Sequence, residues 1–200
     1  MKNNYCTIYL TRHGETEWNK KNKVQGHSDI PLNKTGEIQA KKLGEKLKDV
    51  NFEAVFSSDL IRAKRTAEII ILEKKLAVIT TKALRERMFG RFEGKQVEEL
   101  KNKLGKLTII SKEKQKKLGL NDIENDEYLL NRFIPFMREV SVAYQGKIVL
   151  IVSHGGLIRA FLNRAGFNMV EYSERPIKNA EYLIVKSDGV EFFFEDEKLF

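Results

Sequence analysis

The sequence predicts an α/β fold: a three-layer α/β/α sandwich whose central sheet is mostly parallel, with an antiparallel edge and a helical insertion. Three observations support this prediction. Short apolar runs alternate with segments of helical periodicity, the run Tyr5–Thr11 is apolar on both faces, and Ser187-Asp188-Gly189 separates two strand-like runs. Buried parallel strands have continuous apolar sequences, and a short link containing glycine between two strands predicts a hairpin.

Length and composition indicate one globular domain, which we place at residues 1–200. The hydrophobic fraction is 42% and the charged fraction 32%, and a chain of this length buries a core without needing a disulfide. The single cysteine, Cys6, is typical of a reducing compartment. The longest aliphatic run, Ile148–Val152, is far shorter than the ~20 residues of a membrane span. We therefore expect a cytoplasmic protein with no membrane partner.

The first part of the chain predicts three strands and two helices. The strands are the β-branched and aromatic runs Tyr5–Thr11, Ala54–Ser57 and Ala77–Thr81. A segment whose apolar residues have helical spacing follows each of the first two strands. One helix has Thr35 as its N-cap and Ile38, Leu43 and Leu47 on its apolar face, and the other spans Asp59–Leu72.

Residues 95–145 predict the helical insertion, which we expect over one end of the sheet. Helical spacing recurs at Val97–Leu104 and Tyr128–Tyr144, and Gly119 with the acidic run 121–126 predicts a loop between them. The segment is rich in lysine. These lysines favour a substrate that carries a second anionic group.

The last part of the chain returns to the sheet. Lys147–Ser153 is the strongest strand, a helix follows Gly155, and Glu181–Lys186 pairs with Val190–Phe194 as a hairpin. Because ligands bind beyond the carboxyl ends of parallel strands, functional residues are expected just after these strands.

The net charge is +8, which raises the question of an anionic partner. The lysines are spread over the predicted helices, as on solvated helix faces. Neither zinc-finger spacing nor an RNA-binding aromatic strand accompanies them. We therefore expect no nucleic-acid partner.

Two of the three histidines, His13 and His154, follow apolar strands, and each precedes a glycine. Arg12 precedes His13, and Arg62 lies one turn into the helix after the second strand. Guanidinium groups bind phosphate oxygens in a bidentate manner. Together these residues predict one phosphate site at the carboxyl edge of the sheet.

The motifs resemble those of the histidine phosphatase superfamily, also called the phosphoglycerate mutase-like family, and the resemblance covers nearly the whole chain. The matching segments are Leu10–Thr16 with Asn19; Gln25-Gly26 with Asp29, Pro31 and Leu32; Ser57-Ser58 with Arg62, Ala63, Thr66 and Ala67; Leu84–Glu86, Phe89-Gly90 and Glu93-Gly94; and Ser153–Gly156. The segment from Arg85 to Gly94 resembles the phosphatase branch. That resemblance implies a phosphomonoesterase of the histidine acid phosphatase type.

The resemblance also implies a role for each matching residue. His13 is the nucleophile that forms a phosphohistidine, and Glu86 is the proton donor and later the base. Arg12, Arg62 and His154 surround the phosphoryl oxygens. Substrate binding falls to the side chains or backbone of Asn19, Gln25, Gly26 and Gly155.

Elementary chemistry supports the role of His13. Only a neutral imidazole attacks phosphorus, and two adjacent guanidinium groups disfavour its protonation. Its other nitrogen should donate to a backbone carbonyl, which fixes the tautomer. Fixed cations stabilise the charge of the transition state. We therefore expect no metal and no cofactor, and a small phosphorylated metabolite as the partner of a monomer or homodimer.

Three rival interpretations remain. A cofactor-dependent phosphoglycerate mutase would return the phosphoryl group to its substrate, but the chain has no Arg-Arg pair and has Arg85 where those mutases carry Asn. A metal site would use His13, Glu15 and His154. A non-catalytic phosphate-binding regulatory protein would bind without turnover. The role of His27, in the loop after Gly26, is left open between substrate contact and an exposed loop position.

Overall fold

The computed structural model describes residues 5–104, 110–167 and 177–194. The strands in these ranges are β1 Cys6–Arg12, β2 Ala54–Ser58, β3 Val78–Thr81, β4 Ile148–Ser153, β5 Tyr182–Ser187 and β6 Phe192–Phe194. The helices are α1 Glu17–Lys20, α2 Lys34–Lys46, α3 Ile61–Ile70, α4 Val97–Leu104, α5 Lys112–Leu118, α6 Asp126–Ala143 and α7 Gly155–Arg164. Two short 3₁₀ turns lie at Lys82–Leu84 and Gly90–Phe92. None of the helices described combines the length and apolar character needed to cross a membrane.

The six strands form one sheet in the order β3-β2-β4-β1-β5-β6. β4 pairs in parallel with both β1 and β2, and β2 pairs in parallel with β3. β5 lies antiparallel to β1, and β6 lies antiparallel to β5. The predicted α/β fold, with a mostly parallel sheet and an antiparallel edge, is therefore confirmed.

The strand register brings the functional ends of the strands together. Arg12, the last residue of β1, pairs with Ser153, the last residue of β4. Ser57 of β2 pairs with Val152 of β4. Because the side chains of His13 and His154 follow these strand ends directly, the topology places both histidines at one edge of the sheet.

Helices cover both faces of the sheet. On one face, α6 and α7 pack on alternate residues of the strands through Leu129, Phe133, Met137, Leu157 and Phe161. On the other face, α2 and α3 pack on the intervening strand residues through Leu43, Leu47, Ala63, Ala67 and Ile70. The central strands are buried on both faces, which is why their sequences are continuous apolar runs.

Several predicted boundaries were wrong by one or two residues, and one difference has an identifiable cause. The N-cap of α2 is Asn33, not Thr35, because the Asn33 side chain accepts a hydrogen bond from the backbone N–H of Gly36. Thr35 lies inside the helix. The helix predicted at Asp59–Leu72 is the shorter α3, capped by Leu60 and Ile71.

The predicted insertion has two parts, and its residues 105–109 lie outside the described residues. Its second half is mostly α6, which belongs to a helical layer of the sandwich. Its first half holds α4 and α5. Two residues of α4 and five from neighbouring segments form a third apolar cluster: Leu100, Leu104, Val24, Phe92, Ile110, Leu120 and Ile123. The sequence did not predict α5, which begins after the N-cap Ser111 and ends at the left-handed Gly119.

Candidate active site

A cleft of about 260 Å³ opens beyond the carboxyl ends of β1, β2 and β4. One end is polar, and the other is apolar. Its polar lining consists of Arg12, His13, Gln25, Gly26, Arg62, Glu86, Arg87, Lys101, Gly155, Gly156 and Arg159. Seven of the nine residues predicted for the site are in this set, and the remaining two, Asn19 and His154, are not part of the lining.

His13 is almost completely buried at the end of β1, with 3% of its surface exposed. Its Nδ1 lies 2.6 Å from the carbonyl oxygen of Gly14. Because a carbonyl only accepts, Nδ1 carries the proton and Nε2 keeps its lone pair. The predicted hydrogen bond to a backbone carbonyl is therefore confirmed. Burial, and then the charges of Arg62 and Arg12, hold the pKa of His13 well below its ordinary value.

His154 lies against His13, with ring centroids 5.1 Å apart. It is fully buried, and neither of its ring nitrogens has a hydrogen-bond partner among the residues described. Burial, and then the charge of Arg62, lowers its pKa well below the ordinary value. A buried imidazole without a partner in the protein is costly. His154 therefore suits a site whose occupant supplies the missing acceptor.

Arg62 is fully buried, so it is not a surface residue of its helix. Its Nη1 donates to the carbonyl of Ser28 at 2.8 Å, and its Nη2 donates to that of Gly26 at 2.7 Å. Its Nε has no acceptor among the described residues. Burial lowers its pKa to about 10, a value at which the guanidinium still stays charged at neutral pH. The two backbone contacts fix the orientation of this charge.

The loop that holds Arg62 is itself held by Glu93. One carboxylate oxygen of Glu93 accepts from the backbone N–H of His27 at 3.0 Å. The other accepts from the N–H and the hydroxyl of Ser28. A Cβ on Gly26, whose φ is +53°, would lie 2.1 Å from the Glu93 carboxylate. Glycine is therefore required where this loop closes over the site.

Arg12 is partly buried beside His13. Its Nη1 donates to the carbonyl of Ile177 at 2.8 Å, whereas its Nε has no acceptor among the described residues. Burial lowers its pKa, and the nearby carboxylate of Glu86 opposes this shift. Arg12 and Arg62 thus present two guanidinium groups to the cleft, with hydrogen-bonding capacity that the described protein atoms leave unused.

The Glu86 carboxyl group lies at the N-terminus of α7. Its Oε2 accepts from the N–H of Gly156 at 2.9 Å, and its Oε1 accepts from those of Leu157 and Arg87 at 3.0 and 2.8 Å. Positive partial charge at a helix N-terminus favours a carboxylate in this position. Neither neighbouring arginine pairs with Glu86, because Arg85 pairs with Asp59 and Arg87 with Asp126.

The backbone of Glu86 is also held in place. Its carbonyl oxygen accepts from Nε2 of His27 at 2.8 Å and from Nη2 of Arg132 at 2.9 Å. Arg132 also pairs with Glu124, with its Nε 2.9 Å from a carboxylate oxygen. The structure therefore places His27 in support of the Glu86 segment.

The glycines after the histidines make room for protein groups. A Cβ on Gly14 would lie 2.6 Å from the carbonyl oxygen of Gly36, where α2 begins. A Cβ on Gly156 would lie 2.5 Å from Glu86, and one on Gly155 would lie 3.2 Å from Arg12. In the structure, they admit the neighbouring backbone and the site's own side chains.

Gln25 and Asn19 both lie in the segment between β1 and α2, and Asn19 is part of α1. Gln25 is buried, and its amide oxygen accepts from the hydroxyl of Thr16 at 3.0 Å. The amide oxygen of Asn19 accepts from the N–H of Thr16 at 3.2 Å and completes the capping box of α1. Asn19 does not line the cleft, so its contact with substrate stays a prediction.

Sequence reasoning missed Arg159 and the apolar end of the cleft. Arg159 lies four residues after Gly155, which puts both on the same side of α7. That spacing was a usable signal. The apolar lining comes from Val24, Phe89, Val97, Leu100, Leu104 and Ile110. Which side of α4 faces the site depends on tertiary packing, and no sequence motif marks it.

The rival metal site finds no cluster among the described residues. Within those ranges, no group of three or more His, Cys, Asp or Glu side chains is arranged to hold a metal ion. The carboxylate of Glu15 instead accepts from the side-chain amide of Asn33 at 2.8 Å, beside the start of α2.

Comparisons with known proteins agree with the geometry. Residues 8–196 match the profile of the histidine phosphatase superfamily (branch 1). The chain is 38% identical over 176 residues to the uncharacterized phosphatase PhoE of Bacillus subtilis (strain 168), covering 86% of this chain and 84% of that protein. It is 35% identical over 171 residues to phosphoglycerate mutase-like protein 4 of Arabidopsis thaliana, covering 80% and 71%. The crystal structure of phosphoglycerate mutase from Bacillus anthracis str. Sterne superposes with a TM-score of 0.81 at 28% identity, covering 98% of this chain and 94% of that one.

Proposed function

The chain belongs to the histidine phosphatase superfamily (branch 1), and from this premise we propose that it hydrolyses small phosphomonoesters through a phosphohistidine on His13. It is then a metal-independent phosphomonoesterase of the histidine acid phosphatase type. Its substrate is a small phosphorylated metabolite. The single cysteine, which is buried, suits a cytoplasmic setting.

One observation carries the proposal. Two imidazoles with ring centroids 5.1 Å apart adjoin two guanidinium groups, and polar atoms of Arg12, Arg62 and His154 have no acceptor among the described residues. Such donors, held in place and shielded from water, favour an anion. A phosphoryl group, with three oxygens that accept hydrogen bonds, satisfies several of them at once.

In the first step, the lone pair on Nε2 of His13 forms a bond to phosphorus as the bond from phosphorus to the ester oxygen breaks. The hydrogen bond from Nδ1 to Gly14 holds the ring in the required tautomer. Arg12, Arg62 and His154 stabilise the charge on the equatorial oxygens. The N–H groups around Glu86 favour its carboxylate, so Glu86 must take up a proton before this step. It then gives that proton to the leaving alkoxide, which is worth roughly 10²–10⁴-fold in rate.

In the second step, Glu86 is the general base. Its carboxylate takes a proton from water, the water oxygen bonds to phosphorus, and the bond between nitrogen and phosphorus breaks. Inorganic phosphate leaves, and both His13 and the protonated Glu86 are restored. The backbone N–H groups of Gly156 and Leu157 hold the carboxylate in the orientation that this step needs.

The test is covalent trapping combined with a substitution of His13. Wild-type protein, quenched during turnover of a ³²P-labelled monoester, should yield an acid-labile and base-stable adduct. His13→Ala should form no adduct and should lose at least about 1,000-fold in kcat. As a control, Lys103→Ala changes an exposed residue of α4 outside the cleft lining and should leave both readouts unchanged. Full turnover by His13→Ala would exclude the proposal.

A second experiment separates hydrolysis from phosphoryl transfer by the products that form. Incubation with 3-phosphoglycerate and bisphosphoglycerate should release inorganic phosphate. Accumulation of 2-phosphoglycerate without phosphate release would instead indicate a mutase.

A further inference from the structure

We infer that the substrate carries an apolar body, so that the protein prefers phosphomonoesters of apolar alcohols to those bearing a second acidic group. The inference rests on the proposed function, because it concerns the part of the same cleft that lies beyond the phosphoryl group. It assigns the apolar end of the cleft to the alcohol portion of the ester.

The apolar wall is continuous with the polar site. Val97, Leu100 and Leu104 recur at helical spacing along α4, so they share one side of that helix. Phe89 and Val24 extend this surface toward Glu86 and Gln25, which line the same cleft. A ligand held at His13 therefore meets carbon atoms on the side formed by α4.

The charges of this region are mostly engaged elsewhere. Lys112 pairs with Glu127 at 2.9 Å, and the ammonium group of Lys114 donates to the carbonyl of Leu104 at 2.8 Å. Lys95 lies over the ring of Phe92. Lys101 is the one lysine in the described lining of the cleft. Apart from the exposed Lys101, the described lysines of the insertion therefore do not contribute to this wall.

Arg87 does not form such a site either, although it lines the cleft. Its Nη2 lies 2.7 Å from the carboxylate of Asp126, and its Nη1 donates to the carbonyl of Glu124 at 2.7 Å. A second carboxylate or phosphate placed along the α4 wall could pair only with Lys101 or Arg159 of the described lining. Both are exposed, so such a pair would return little for the hydration that the acid loses. An alkyl or aryl group would instead gain from leaving water.

A series of alkyl phosphates tests this inference without changing leaving-group chemistry. Ethyl phosphate, hexyl phosphate and the acid-tailed 6-(phosphonooxy)hexanoate are esters of primary alcohols of similar acidity. We expect kcat/KM for hexyl phosphate to exceed that for ethyl phosphate by at least about tenfold. It should also exceed that for the acid-tailed ester. Equal values for all three, or a preference for the acid-tailed ester, would overturn the inference.

A pair of matched substitutions ties the preference to the wall. Val97→Asn places an amide in the wall and should lower the hexyl-to-ethyl ratio of kcat/KM at least about threefold. Val142→Asn makes the same change on α6, where Val142 is 60% exposed, and should leave the ratio unchanged. Circular dichroism and the melting temperature show whether each variant is folded. A folded Val97→Asn variant with the wild-type ratio would contradict the assignment of this wall.

Binding of phosphonates separates the two proposals. Hexylphosphonate and ethylphosphonate cannot be hydrolysed, and calorimetry on wild-type protein reports the preference for the tail without turnover. If neither ester is hydrolysed but hexylphosphonate binds at least about tenfold more tightly, the proposed function fails and the apolar site stands. If both esters are hydrolysed equally and both phosphonates bind equally, the function stands and the apolar-tail inference fails.

Discussion

The paired imidazoles of His13 and His154 make stability depend on pH in a way that can be measured. Both histidines are buried, and the pKa of each lies well below its ordinary value in the folded protein. In the unfolded chain, each titrates near 6.5. Between these two pKa values, the unfolded state binds more protons. The free energy of unfolding must therefore fall as the pH falls below about 7.

The expected size of this effect follows from the linkage. On going from about pH 7.5 to about pH 5.5, each histidine should reduce the free energy of unfolding by at most about 1.4 kcal/mol. Urea unfolding of wild-type protein and of His154→Asn at both pH values measures it. The variant should retain only the contribution of His13 to this pH dependence. A wild-type free energy of unfolding that is equal at both pH values would show that these histidines are not held neutral.

The same lowered pKa is what the proposed nucleophile needs. A histidine that stays neutral below neutral pH keeps a lone pair on Nε2 whenever substrate is present. The guanidinium groups that would bind the phosphoryl oxygens also contribute to this shift. Phosphate binding and nucleophile activation therefore depend on the same two residues, Arg12 and Arg62.

At the scale of the elements, α6 supports the segment that carries Glu86. Arg132 of α6 donates from Nη1 to the carbonyl of Ala83 at 2.9 Å and from Nη2 to that of Glu86. Its Nε pairs with Glu124. We therefore identify Arg132 as a positioning residue, which acts on the reaction through the placement of the Glu86 carboxyl group.

Substitution of Arg132 should lower kcat much more than it raises KM. Arg132→Gln removes the contacts to the Glu86 segment, and a displacement of the carboxyl group by about 1 Å costs up to about 100-fold in rate. KM should change little, because the predicted phosphate-binding groups remain. Arg138→Gln is the matched control, since Arg138 lies on the same helix and, within the described ranges, bonds only the carbonyl of Val190. A folded Arg132→Gln variant with unchanged kcat would show that Arg132 has no positioning role.

Most strands and the site residues next to them were predictable, because buried parallel strands and the motifs after them have strong local signals. His13, His154 and Arg62 follow β1, β4 and β2 directly or within one turn. The N-cap of α2 was not predictable to the residue. Asn33 and Thr35 are both good N-cap types. The choice between them depends on the tertiary contact of Asn33 with Glu15.

Helix α5 was not predicted, for a different reason. Residues 112–118 read Lys-Glu-Lys-Gln-Lys-Lys-Leu, which has no apolar stripe. The helix is held instead by its Ser111 cap and by the buried Gln115, whose amide contacts the carbonyl of Ile123 and the side chain of Asn125. Polar contacts made across a fold leave no periodic signal in the sequence.

At the scale of the whole molecule, the described residues form three apolar clusters. The first two share strands of the sheet, and the third does not. The two large clusters share the central strands, because alternate residues of β2 and β4 face opposite sides of the sheet. Loss of packing on one face therefore disturbs the other. The third cluster, built on α4 and the segments that flank α5, contains no strand residue and holds fewer buried side chains than either of the other two.

This difference predicts uneven stability, which native-state hydrogen exchange measures. Amides of β1 and β4 should exchange only through global unfolding, whereas those of α4 and α5 should exchange through a smaller opening of lower free energy. Hexylphosphonate should slow exchange in α4 more than in β4, because it binds against the α4 wall and stabilises the closed state. Exchange in α4 that equals exchange in β4, with and without ligand, would mean that the third cluster unfolds only with the sheet. In that case the substrate-binding wall would be as rigid as the catalytic strands.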